Sequence, residues 1–127
     1  MSTPWLEGGH IYGVCSFGQL RCVRLADGAR VWETLAPTTP GGKPARWTSA
    51  FIVKQADRFF LYNETGDLII ARLTPRGYEE LDRAHLLDPT NKAGGRPVTW
   101  SHPAFADGSI FVRNDRELIR VDLRAPR

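Results

Sequence analysis

The chain repeats itself. Thr3-Pro4-Trp5-Leu6-Glu7-Gly8-Gly9-His10-Ile11-Tyr12 is echoed by His102-Pro103-Ala104-Phe105-Ala106-Asp107-Gly108-Ser109-Ile110-Phe111. Between them, Ser49-Ala50-Phe51-Ile52-Val53-Lys54-Gln55-Ala56-Asp57-Arg58-Phe59-Phe60 is a looser copy. A short polar turn and an apolar stretch follow each copy, at 19–25, 67–73 and 117–123. Self-similarity at a spacing of about 50 residues means one supersecondary unit stacked against others of its kind.

Within each unit, turn residues punctuate short apolar runs. The first unit predicts strands at 4–7, 11–15, 19–25 and 30–34, with turns at Gly8-Gly9, Ser16-Phe17-Gly18 and Asp27-Gly28. The second predicts strands at 51–53, 59–62, 67–73 and 78–81, and the third at 104–105, 110–113 and 117–123, after which no fourth strand follows. Turns this frequent leave no room for helices. Runs such as Phe59-Phe60-Leu61 and Leu68-Ile69-Ile70-Ala71 do not alternate as a half-solvated sheet should, so these strands are expected to be covered on both faces. Four-stranded antiparallel units stacked face to face describe β-propeller blades. The expected fold is therefore all-β: a single segment, 1–127, with blades at 1–35, 47–82 and 100–127, the last incomplete. The connections, 36–46 and 83–99, are rich in Pro and Gly and exclude helix or central strand.

Composition narrows the function. The 127 residues carry a net charge of +3, with 17 basic side chains interspersed among 14 acids and no long run of one sign, which argues against nucleic acid as a partner. No apolar run approaches the roughly 18 residues of a membrane helix. The first residues lack the basic and apolar regions of a secretory signal, and the abrupt start inside a repeat suggests a piece of something longer. With Cys15 placed opposite Leu20, Cys22 falls on a diagonal too long for a disulfide, so two buried, unpaired thiols are expected.

The stretch from Ile11 to Glu33 resembles the quinoprotein-type, PQQ-like propeller repeat: aromatic strand, small-residue hairpin, leucine-bearing strand, Asp-Gly turn, then a hydrophobic-Trp-Glu strand. Residues 47–123 are similar to the C-terminal part of PQQ-like repeat proteins of planctomycete-type bacteria, a resemblance that implies a periplasmic or exported setting. In that family the outer-strand Trp packs between blades. Trp32 matches it, with Leu81 in the corresponding place of the second unit, and Trp5, Phe51, Phe60, Phe105 and Phe111 are further expected blade-packing residues. Propellers have typically four to eight blades. A chain supplying three would leave two apolar faces uncovered, so it is expected to close with a second copy, as a homodimer of six blades, or with blades of a longer chain. In the first case an N-terminal strand of one copy is a candidate to complete the last blade of the other.

No catalytic constellation accompanies the fold. Quinone enzymes of this kind carry a carboxylate base, a metal ion and often an adjacent cysteine pair, whereas Cys15 and Cys22 are apart. His10, His85 and His102 lack zinc-type spacing, and Asp88-Pro89-Thr90-Asn91 lacks the form of a calcium loop. Ser101-His102 and Glu79-Glu80 are neighbours that a strand points to opposite faces. No cofactor and no metal site is assigned. What remains is a protein-binding surface at Arg46, Trp47, Arg96 and Trp100, residue types that dominate interface energetics. The sequence therefore predicts a non-catalytic interaction or assembly module. The alternative is the tail of a larger PQQ-dependent oxidoreductase whose cofactor residues lie outside this chain.

Overall fold

The computed structural model describes residues 2–39 and 41–126. Pro40 of the first connection and the expected segment limits Met1 and Arg127 lie outside them. The described residues form strands and no helix, in antiparallel meanders. The first sheet runs in the order β1 (Trp5–Glu7), β2 (His10–Val14), β3 (Leu20–Arg24), β4 (Arg30–Thr34). The second is β5 (Ala50–Gln55), β6 (Arg58–Asn63), β7 (Asp67–Thr74), β8 (Gly77–His85). A two-stranded hairpin, β9 (Asn91–Ala93) and β10 (Arg96–Val98), precedes the three-stranded sheet β11 (Ala104–Ala106), β12 (Ser109–Arg113), β13 (Leu118–Asp122).

The inner strands of the second sheet have no solvent face. Side chains along a strand alternate between faces, and here both faces meet another sheet. Phe59, Leu61, Ile69 and Ala71 join Tyr12, Leu20 and Cys22 of the first sheet in one cluster. Phe60, Tyr62 and Leu68 join Ile110 and Val112 of the third in another. That is the physical reason for the unbroken apolar runs. Outward faces differ from the expectation of two apolar surfaces. On the first sheet Leu6, 59% exposed, shares the outward face with Arg21, Arg30 and Glu33, and the third presents Arg113, Arg120 and Asp122 beside Phe111 and Leu118.

Both four-stranded sheets carry a bulge between their third and fourth strands. Cys22 faces Trp32 and Val23 faces Arg30, so Val31 is the extra residue. Ile70 faces Asp82 and Ala71 faces Glu80, so Leu81 is the extra one. The counterpart of Trp32 is therefore Asp82, and Leu81 corresponds to Val31, a correction of one position. A similar shift applies to the first hairpin, where Val14, not Cys15, stands opposite Leu20. Cys15 and Cys22 are both free thiols.

Two further boundaries move. β8 runs to His85, past the expected end of the second unit at residue 82. The connection expected to hold no strand folds into the β9–β10 hairpin around Gly94-Gly95, both with positive φ. Pro97 is tolerated there because a two-stranded hairpin leaves each strand one free edge.

Neighbouring units are tied by polar side chains. Buried Asn63 donates from Nδ2 to the Pro37 carbonyl (3.0 Å) while Oδ1 accepts from the Thr65 and Asp67 amides (3.1 and 3.0 Å). Asn114 repeats the device, donating to the Asp88 carbonyl (2.9 Å) and capping its own turn through Arg116 and Glu117. Trp32 Nε1 donates to the Thr74 carbonyl across the first interface (2.8 Å). At Gly66, φ +89°, a Cβ would fall 1.7 Å from the Leu87 carbonyl oxygen, so only glycine lets the chain pass.

His85 ends β8 between two carboxylates, its Nδ1 2.7 Å from Asp67 and its Nε2 2.6 Å from Asp88. Hydrogen bonding to Asp67, then to Asp88, holds the imidazole pKa above its ordinary 6.5. A pKa higher in the folded than in the unfolded chain stabilises fully below about 6.5, and the contribution is lost as pH rises through the raised value. The ring is half exposed, which keeps the effect small. His85→Gln is expected to lower the thermal midpoint at about pH 5.5 and to converge with the parent by about pH 9. A gap that widens with pH would contradict this assignment.

The doubly covered sheet yields a second prediction. Phe60 and Leu61 are adjacent yet face different neighbours, so Phe60→Ala and Leu61→Ala should each cost about 2–5 kcal/mol in urea unfolding. Leu118→Ala, at 68% exposure, should stay within about 0.5 kcal/mol of the parent.

Candidate functional site

The run before the first strand of each later sheet docks along a hairpin of the preceding one. Ala45 donates to the Phe17 carbonyl, Trp47 to the Ser16 carbonyl, and Thr48 bridges Phe17 in parallel, which lays 45–48 against the β2–β3 hairpin. In the same manner Thr99 donates to the Glu64 carbonyl (2.7 Å), which lays 98–100 against the β6–β7 turn. The two docked runs bring Trp47 and Trp100 to the lining of one cavity of about 590 Å³. Val14, Cys15, Thr48 and Phe51 complete most of its lining, and no carboxylate lines it among the described residues.

Each tryptophan is held differently. Trp47 is 56% exposed and its backbone sits at φ +64°, the left-handed region that bulky residues avoid. Such a conformation costs about 1–3 kcal/mol and persists only where the surroundings impose it. Here the Ser16 and Phe17 contacts on either side do so. The Arg46 guanidinium lies 4.8 Å from the Trp47 ring centroid, stacked on its face. Trp100 is 45% exposed, with its indole Nε1 donating to Glu64 Oε2 (2.8 Å).

Glu64 is the buried anchor. Its carboxylate also accepts from Arg96 Nε (2.8 Å) and Nη2 (3.3 Å), a bidentate pair with only 4% of the Glu64 side chain exposed. A buried carboxylate is tolerable only when its oxygens are satisfied and its charge is matched. Arg96 and Trp100 supply both requirements, which fixes the start of β10 and the angle of the indole. Thus Arg96 is engaged with Glu64 behind Trp100, while Arg46 is exposed and stacks on Trp47.

The other expected residues fall elsewhere. Trp5 meets Phe59 edge-on with ring centroids 6.3 Å apart, and Trp32 lies between the first and second sheets. Phe60 and Phe105 stack at 5.4 Å between the second and third. Phe51 both packs in that second cluster and lines the cavity. Phe111 faces away from the second sheet, beneath Arg120 (6.0 Å), and Ile110 and Val112 supply the contact instead. His10, His85 and His102 bond separately, to Gly8, to the Asp67 and Asp88 carboxylates, and to Pro103. No group of three or more His, Cys, Asp or Glu side chains is arranged to hold a metal ion among the described residues.

Sequence reasoning missed Glu64, because Asn63-Glu64-Thr65-Gly66 is a turn and a turn carboxylate normally faces water. It also weighed Cys15 only as a packing thiol, whereas Cys15 lines the cavity with its Sγ donating to Gln19 Oε1 (2.7 Å). No protein-family model matches the sequence, and no curated protein matches it.

The two tryptophan settings respond oppositely to mutation. Trp47→Gly removes an exposed ring and relieves the backbone, so unfolding free energy should stay level or rise by up to about 1 kcal/mol. Glu64→Ala strands the partly buried Arg96 and frees Trp100, and should cost about 3 kcal/mol. Urea titration gives both values, and a red-shifted tryptophan emission in Glu64→Ala reports the loosened indole.

Proposed function

We propose that this chain is a β-propeller segment of quinoprotein-like type, serving as an interaction or assembly module without a catalytic centre of its own. The observation that carries the reading is the covered middle sheet beside an uncovered first one. Two sheet faces of the second unit are buried by neighbours of the same design, while Leu6, Leu25 and Val31 on the first sheet are 59%, 54% and 41% exposed. Exposed apolar patches of this kind mark contact surfaces. The matching bulges at Val31 and Leu81, and the matching stitches at Asn63 and Asn114, support a repeated unit that stacks further.

A second copy provides the missing layers, giving six blades about a two-fold axis. Within the chain β1 pairs with β2, with Trp5 opposite Tyr12, and in this reading the copies meet face to face. Sedimentation equilibrium is expected to give twice the 14.2 kDa chain mass. Leu6→Asp combined with Val31→Asp should return the single-chain mass with the sheets intact by circular dichroism. A parent chain that is soluble, folded and monomeric would sink the self-associating ring.

A further inference from the structure

We propose that the cavity between Trp47 and Trp100 takes an acidic peptide segment of a partner protein, with one apolar side chain seated between the indoles and a flanking carboxylate on Arg46. At about 590 Å³ the space is within the range of ligand sites, far larger than one apolar side chain needs, so it admits neighbouring peptide backbone as well. Two large aromatic surfaces left half exposed offer contact area at little cost in side-chain entropy.

Charge selects the partner. Arg46 makes no ion pair among the described residues, and its guanidinium is already oriented by the Trp47 face. Glu64, behind Trp100, is consumed by Arg96 and Trp100. An exposed cation stacked on one lining tryptophan, with no carboxylate in the lining among the described residues, is the complement of a Glu- or Asp-flanked aromatic or proline residue. Ser16 and Ser49 are hydroxyl-bearing residues of the same lining. They provide partners for a peptide backbone.

The strained backbone at Trp47 belongs to the same argument. A left-handed tryptophan does nothing for packing when more than half the residue is exposed, yet this conformation sets its ring against Arg46.

The chain carries its own reporter. Cys15 lines the cavity, while Cys22 is fully buried with its thiol pKa raised by burial, so modification by a thiol reagent reads Cys15 alone. The probes are two capped peptides, acetyl-Glu-Glu-Phe-Pro-Glu-amide and its counterpart with Lys at each Glu. The acidic peptide is expected to slow Cys15 modification by about tenfold at saturation and to shift tryptophan emission, with the basic peptide doing neither. Arg46→Glu should weaken the acidic peptide by about tenfold and Arg46→Lys far less, with the circular dichroism of both unchanged. Indifference to both peptides in fluorescence and labelling would overturn the proposal, as would equal protection by both. Phenylacetate protecting as well as the peptide would mean a small-molecule site and end the peptide assignment. Protection that grows with protein concentration alone would mean that a second copy fills the cavity. The proposal rests on the interaction-module reading but not on ring closure. A monomer that prefers the acidic peptide would end the ring and leave this site standing, and a dimer indifferent to peptides would do the reverse.

Discussion

Burial of the second sheet on both faces is the constraint from which the rest of the structure follows. A strand can bury only half its side chains against one neighbour, so Phe59 and Leu61 need the first sheet and Phe60 and Tyr62 need the third. Apolar burial contributes about 25 cal/mol per Å² removed from water, and the middle sheet collects it twice. The price is register. A slip of one residue along β6 would exchange the two sets between two differently shaped clusters, and the buried Asn63 would lose the Pro37 carbonyl. Asn63 and Asn114 thus do for the connections what side-chain alternation does for the strands: they fix where each unit stops against the next.

The fold was largely legible because its signals are local. Gly8-Gly9, Asp27-Gly28 and Asp107-Gly108 end strands through positive φ, which the sequence states outright. Registers at bulges were less legible. Val31 and Leu81 are apolar residues beside others of similar character, and only the ladder shows that they are the unpaired ones. The β9–β10 hairpin escaped because Pro97 argues against a strand, an argument that holds inside a sheet and fails in a ribbon with free edges. At the site, Trp47 and Trp100 were visible as unusual residues in loops. Their convergence was not, since it depends on Glu64, whose burial comes from the neighbouring unit and leaves no mark on its own turn.

Rigid and strained parts of the cavity divide the work. The Glu64 cluster is a buried ion pair, worth little for net stability compared with an apolar replacement, but directional. It sets the Trp100 indole by a hydrogen bond, and the paired β9–β10 hairpin backs it with Ala93. Trp47 sits on a run held by backbone contacts alone, at a conformation that costs free energy. One lining tryptophan is thus set by charge and the other by backbone contacts.

The outward faces bear on how the proposed ring would close. Pairing the first sheet with its own copy would cover the aliphatic residues but leave the third sheet as it is. Pairing the third sheet with itself would oppose Arg113 and Arg120 to their own copies in a partly dry interface, where like charges cost several kcal/mol. Unlike pairing avoids both problems. It would set the Leu6 face against the Phe111 and Leu118 face, with Arg21, Arg30 and Glu33 of the first sheet facing the arginines and Asp122 of the third. A two-fold axis relating two such contacts covers both outward faces. Because an unlike contact runs head to tail, closure into a pair instead of an extending stack is set by the rotation from layer to layer, not by the faces alone.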